Sequence, residues 1–349
     1  MTSQIRTKMT SERAPSKSSE WKEIVAQYQE SSRGRAIWQI VNTVVPYAAT
    51  WYLMYLCVQV SIWLALPLAV LAGALLIRIF IIFHDCGHES FFRSRLANDI
   101  TGFCAGVLVF TPYYHWRWEH AVHHATAGDL NRRGIGDIWT MTVQEYNESS
   151  RGKRFAYRLA RNPFLLFLVA PVYLFVFRER FPVRGAGARE RKSVWWVNLA
   201  IAVMLLLMGW VFGFVPYLIL MTIAISVAGI GGVWLFYVQH QFEDTYWERT
   251  ENWDYKEAAL RGSSFYDLPA VLRWFSGNIG YHHIHHLSPR IPNYNLGRCH
   301  ESAELFREVK PLKLVRSFRS MRLHLWDESR RRLVSFRDAR RSRATARSH

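Results

Sequence analysis

Long apolar runs separated by arginine-rich polar stretches set the pattern of this chain. One run extends from about Ala36 to Val58, broken by Pro46, and a second from about Ser61 to Phe83, with a single charge at Arg78. Two more, Val194 to Phe214 and Pro216 to Val238, nearly abut. Each exceeds the roughly 20 residues that cross a hydrocarbon core as helix, so the pattern predicts four transmembrane helices over 36–58, 61–83, 194–214 and 216–238. The shorter runs 100–112 and 163–177 fall below that length. The second would reach only about 22 Å against a core of roughly 30 Å, which predicts re-entrant or interfacial helices instead.

The polar stretches carry their own signals. Residues 1 to about 18 are rich in Ser, Thr, Lys and Arg and are predicted to be disordered. After Ser19, a fitting N-cap, Trp21, Ile24, Val25 and Tyr28 recur at helical spacing. They predict a short helix that lies on the membrane surface or packs on the protein's own polar part. Residues 125–162 and those beyond Gln239 are polar in character, and from Lys310 the chain becomes strongly basic. Its last stretch, with Arg330, Arg331, Arg332, Arg340, Arg341 and Arg343, is predicted to be a flexible tail against the membrane surface.

Composition agrees with a membrane protein. Half of the 349 residues are hydrophobic and 15% aromatic, and the mean hydropathy of -0.05 averages apolar spans with arginine-rich ends. A net charge of +17 points to anionic lipid headgroups, because no nucleic-acid motif accompanies it. Four cysteines, Cys57, Cys86, Cys104 and Cys299, lack CxxC pairing and predict neither disulfides nor a zinc-thiolate site. The N-terminus lacks the apolar core of a cleaved signal peptide.

Charge also orients the spans. If 163–177 does not cross, the segment 178–193 shares a side with both termini. It holds Arg178, Arg180, Arg184, Arg189, Arg191 and Lys192 against Glu179 and Glu190. The two opposite connections, around Gln59 and Val215, carry no charge. That bias predicts cytoplasmic termini. Residues 1–35 then form a cytoplasmic N-terminal segment with the interfacial helix, 36–310 the membrane domain, and 311–349 a basic cytoplasmic tail.

The candidate chemistry is histidine. Of 14 histidines, eight fall into three compact boxes: His84 and His88; His120, His123 and His124; His282, His285 and His286. The i, i+3, i+4 spacing gathers imidazoles on one helix face. Each box lies just beyond the cytoplasmic end of an apolar segment. Eight imidazoles exceed the four ligands of a structural zinc and point to two metal ions. His240 follows the last span at the same depth and is a ninth candidate ligand. His283 alternates off the ligand face, and His115, His300, His324 and His349 have no partner at helical spacing. Asn278, four residues before His282, would be close enough in a helix to hold a metal-bound water. Asp85, Glu119 and Glu243, with Asp129, Asp137 and Asp244, are the nearby carboxylates available to the second ring nitrogens. The fold class expected is an all-α integral membrane protein. Four transmembrane helices, with short re-entrant or interfacial ones, would carry a cytoplasmic helical cap holding a di-metal site.

His84-Asp85-Cys86-Gly87-His88, His120-Ala121-Val122-His123-His124 and His282-His283-Ile284-His285-His286 resemble the three histidine boxes of membrane fatty acid desaturases, in residues and in spacing. Trp116-Arg117-Trp118-Glu119-His120 and Val238-Gln239-His240-Gln241-Phe242-Glu243 are most similar to bacterial acyl-lipid desaturases of the delta-12 or omega-6 type. The resemblance covers roughly residues 36–310. It implies a di-iron centre, O2 as co-substrate, an acyl chain, bound to lipid, as substrate, a cis double bond as product, and a bacterial inner-membrane location. The resemblance leaves the position of the double bond and the chain length open, and it favours lipid over CoA or ACP as the carrier without fixing it. No His-Pro-Gly-Gly cytochrome b5 motif and no flavin or nicotinamide fingerprint occurs, so a separate ferredoxin-like electron donor is implied. A hydroxylase or ketolase with the same boxes, acting on an alkane, sterol or carotenoid, is the nearest alternative. A histidine-rich metal transporter would need polar residues within the spans, where only Arg78 is charged.

Overall fold

The computed structural model describes residues 17–345 and is mainly helical. The helices that position the site are α1 (Lys17–Ala26), α2 (Arg33–Val58), α3 (Ile62–Gly87), α4 (Arg95–Leu108), α5 (Tyr113–Thr126), α6 (Arg151–Ala160), α7 (Ala188–Phe212), α8 (Phe214–His240), α9 (Ala270–Phe275) and α10 (His282–Leu287). The disorder expected of residues 1 to about 18 falls almost wholly outside the described residues.

Among the described residues, three helices, α3, α7 and α8, are each long and apolar enough to cross a membrane. α2 is as long as α3 at 26 residues, but Gln39, Asn42, Thr43 and Thr50 dilute its apolar character. Three of these, Gln39, Thr43 and Thr50, are buried in the bundle, while Trp38, Val45 and Tyr52 stand exposed on the outer face. α7 and α8 continue that outer apolar surface with Leu206, Trp210, Phe214 and Val215. A bundle this apolar on the outside is solvated by lipid rather than by water.

Packing sets the directions of the helices. A Cβ at Gly73 would lie 2.6 Å from Val227 Cβ, and one at Gly231 would lie 2.5 Å from Ile77 Cδ1. Residues 73 and 77 of α3 therefore pair with 227 and 231 of α8, so the two helices run in parallel at close approach. Their C-terminal ends, carrying His84 and His240, emerge at the same end of the bundle. α2 reaches α3, and α7 reaches α8, through connections of a few residues at the opposite end.

The segment 163–177 does not form a straight helix. Leu165–Val169 and Tyr173–Phe177 are π-helical around a short α-turn, and the run meets α6 at a bend of 59°. Pro171 and Phe175 pack on Gly229 of α8. α4, which contains most of 100–112, is 14 residues long.

α1 begins at Lys17, two residues ahead of Ser19, and buries Trp21 and Val25 in a cluster with Ile81, Ile284, Leu287 and Ile291, so of the two placements the sequence allows it takes the one packed on the protein itself. Two features depart from the sequence expectation. Five short strands among the described residues form two small sheets. The parallel pair Phe265–Asp267 and Pro311–Lys313 is one; the other joins Met141–Thr142, Leu325–Asp327 and Arg332–Val334. The basic region from 311 onward is thus folded through Ala339, with Leu325, Trp326, Leu333 and Val334 buried. Its arginines occupy the exposed positions of an otherwise apolar pattern.

Candidate metal centre

The three boxes converge at the end of the bundle where α3 and α8 terminate. His84 lies in the last turn of α3 and His88 caps it. His120, His123 and His124 lie along α5, His240 ends α8, and His282, His285 and His286 form one face of the six-residue α10. In one group, the ring nitrogens of His84, His88, His120, His124 and His285 lie within 4.8 Å of one another. In a second, those of His123, His240 and His286 do the same. His282 joins the second group, its Nε2 3.0 Å from that of His240. The groups abut, since the His124 ring stacks on His286 with centroids 4.2 Å apart.

Hydrogen bonding at the second ring nitrogens fixes several tautomers. His84 Nδ1 lies 3.1 Å from Asp85 Oδ1, and His123 Nδ1 lies 2.7 Å from Asp137 Oδ1. Each Nδ1 therefore donates to a carboxylate and leaves a lone pair on Nε2. His240 Nδ1 donates likewise to the Gly262 carbonyl at 3.3 Å. Asp85 is held in turn by the backbone and side-chain amides of Asn293, which donate to Oδ2 at 2.6 and 2.8 Å.

Burial works in the same direction. It pushes His120, His124, His282, His285 and His286 well below the ordinary imidazole range, and the neighbouring imidazoles add to it. Neutral imidazoles with converging lone pairs are metal ligands. Buried Nε2 atoms of His88 and His286 have no hydrogen-bond partner within the protein, which a coordinated cation would satisfy. The donor set is all nitrogen, a set suited to a first-row transition metal and unsuited to calcium or magnesium. These residues form a cluster able to bind metal.

Aromatic side chains wall the cluster. Trp116 stacks on His120 at 4.3 Å, and Phe236 lies 5.2 Å from both His123 and His240. His283 faces away and meets His300 at 3.0 Å.

The structure corrects three sequence-predicted contacts. Glu119 does not support a box histidine. On a helix, neighbouring residues project about 100° apart, and Glu119 makes a two-pronged pair with Arg178 on a different side from His120. There it faces His115 and Glu179. Glu243 is half exposed and 3.8 Å from Arg332, with no box histidine in contact. Asn278 is not one turn below His282 in a helix. It sits at φ 60° beside Gly277 at φ 51°, a left-handed turn that ends before α10 begins. Asp129 pairs with Arg132 and Thr250, and Asp137 takes the role at the second box.

Comparison with known proteins agrees with this geometry. The family model for fatty acid desaturases matches residues 61–315. A fatty acid desaturase of Bacillus subtilis is 46% identical over 313 residues, covering 90% of this chain and 89% of that protein. The sn-1 oleoyl-lipid 12-desaturase of Synechocystis is 29% identical over 257 residues, 69% of this chain and 68% of its own. A ferredoxin-dependent sn-1 acyl-lipid omega-3 desaturase of Nostoc is 28% identical over 267 residues, 69% of this chain and 67% of its own.

Proposed function

The chain belongs to the fatty acid desaturase family, and from that premise we propose that it introduces a cis double bond into the acyl chain of a membrane lipid. It is an oxidoreductase of acyl chains. The observation that carries the reading is the pair of abutting imidazole groups, five and four rings with lone pairs converging.

In this reading His84, His88, His120, His124 and His285 hold one iron, and His123, His240, His282 and His286 a second. When bound, the two irons supply the oxidising chemistry, with O2 as co-substrate, that removes two hydrogens from adjacent methylenes. The protein's own residues do the rest. Asp85, Asp137 and the Gly262 carbonyl keep the second-nitrogen protons in place and so orient three of the rings. Burial of the boxes, with Trp116 and Phe236 against them, keeps water from the reacting chain. Of the aromatic residues near the end of α8, Phe236 touches a box histidine, whereas Trp234 packs on Phe167 and Tyr237 donates to the Ser320 carbonyl. Gly229 and Gly231 are filled by Pro171 and Ile77.

α2 completes the reading as a fourth crossing, with its exposed face to lipid and its polar face on Arg78. Both termini and the histidine cluster then face the cytoplasm of a bacterial inner membrane, and a ferredoxin-like protein delivers the electrons. Expression in a host lacking polyunsaturated lipids, followed by fatty acid profiling, tests the function. Dienoic acids are expected. Hydroxylated or keto products without dienes would sink desaturation in favour of the hydroxylase or ketolase reading.

A further inference from the structure

α6 and the segment Leu314–Arg322 carry large apolar side chains on the outside of the molecule. Phe155 and Leu159, one turn apart on α6, are 68% and 48% exposed, while Tyr157 on the opposite face is fully buried. Val315 and Phe318 are 82% and 51% exposed, while Ser317 and Ser320 on the same segment point inward. The two elements are neighbours: the Tyr157 hydroxyl donates to the His324 carbonyl, and Arg161 donates to the Leu323 carbonyl at 2.8 Å.

Their charge has one sign. Arg151 and Lys153 flank the α6 stripe, and Arg316, Arg319 and Arg322 flank the other; all are exposed, and none forms an ion pair among the described residues. Elsewhere on the polar face Arg132, Arg133, Arg249 and Arg331 each pair with a carboxylate.

Depth links the patch to the bilayer. Phe318 packs on Trp234 of α8 with centroids 5.1 Å apart. Trp234 lies about seven residues past the middle of α8, about 10 Å along its axis, inside the roughly 15 Å half-thickness of a hydrocarbon core. The α6 stripe runs on through exposed Phe164 into Leu168 and Tyr173, the outward face of the apolar segment on α8.

We propose that α6 and Leu314–Arg322 form one interfacial collar that dips its apolar side chains below the headgroups and holds anionic phospholipid phosphates with its unpaired cations. The collar rests on the reading that α8 crosses the membrane. An acidic electron-donor protein is a poorer occupant, because four bulky apolar side chains continuous with the lipid-facing surface would be left in water whenever it dissociated.

The test is hydrogen–deuterium exchange on the full chain in nanodiscs of phosphatidylcholine, with and without phosphatidylglycerol, which reads the collar without reference to desaturase activity. In the wild type, anionic lipid should slow exchange in 151–160 and 314–322 by on the order of tenfold, and high salt should reverse it. Arg316→Gln/Arg319→Gln/Arg322→Gln should lose the lipid and salt dependence of 314–322, and Phe155→Ser/Phe318→Ser should raise exchange in both lipids. Exchange indifferent to lipid charge and salt would overturn the collar, as would protection that arises only when an acidic ferredoxin is added. Collar exchange as fast in nanodiscs as in a polar loop, with α8 itself unprotected, would instead overturn the crossing.

Discussion

His123 and His240 face each other with their Nε2 atoms 3.2 Å apart, and neither ring has a proton to place between them. His123 has committed its proton to Asp137 through Nδ1, and His240 has committed its own to the Gly262 carbonyl. Two lone pairs at that distance repel. A cation held between them would turn the repulsion into coordination, as expected of a cluster able to bind metal.

Weakening the support of His123 should therefore weaken metal binding before it harms the fold. Asp137→Asn keeps an acceptor but removes the charge that favours Nδ1–H. Metal affinity should fall about 10–100-fold, and activity lost at limiting iron should return with excess iron. Metal analysis of purified protein across an iron titration measures both. Unchanged affinity would mean that the 2.7 Å contact does not tune the site.

The pentapeptide 282–286 contains its own control. His120→Ala, His124→Ala and His286→Ala each remove a ring from the converging groups and should abolish desaturation while leaving membrane insertion intact. His283→Ala removes a ring bonded to His300 on the other side of α10. It should cost about 1–3 kcal/mol in stability through the buried His300 nitrogen left unpaired and leave bound metal unchanged. Fatty acid profiles with metal content per protein separate the two classes; loss of metal in His283→Ala would contradict the placement of its ring.

The C-terminal module should loosen in acid. His324 stacks on Phe336 at 4.3 Å, and its buried Nδ1 has no partner. Burial, with the positive charges of Arg161 and Arg158, pushes its pKa down to about 4 from an ordinary value of 6.5. Between those two values the unfolded chain binds a proton that the folded one refuses. Stability is then level above pH of about 6.5 and falls as pH drops toward about 4. Limited proteolysis of 311–345 should accelerate across that window, and His324→Leu should flatten the response.

The boxes were legible because coordination demands repetition: i, i+3, i+4 imidazoles cannot be explained by packing, and apolar runs deliver them to one depth. His240 was legible from depth alone. Asp85, beside His84, was legible too; which carboxylate supports the second box was not. Glu119 is adjacent to a box and Asp137 is 14 residues away from His123, yet the loop through Gly136 folds back against His123 and brings the distant residue in. The folded C-terminal region was hidden for a similar reason. Its strands are three residues long and depend on partners as remote as Met141, while its charge reads as a tail.

Arg78 should be a positioning residue for the third box. It is buried in α3, where a charge is costly, and its guanidinium is satisfied within the protein. It donates to Thr43 Oγ1 at 3.0 Å, to Asn42 and to the Trp274 carbonyl, and lies 4.2 Å from the Trp274 ring centroid. Trp274 belongs to α9, which leads through the left-handed Gly277–Asn278 turn into α10. Further along α3, Ile81 meets Gly277 and Asp85 holds Asn293. One helix thus registers the segment before, within and after the turn that aims His282, His285 and His286, and Arg78 fixes its first point. Arg78→Ala would leave the Trp274 carbonyl and Thr43 without their donor, a cost of about 1–3 kcal/mol for each buried group. Arg78→Lys can reach one acceptor but not span both. The expected order of iron content and of desaturation is wild type, then Lys, then Ala, with exchange in 274–287 rising in the same order and exchange in α7 unchanged. Equal loss of protection across α3, α7 and α8 would make Arg78 a general support of the bundle instead.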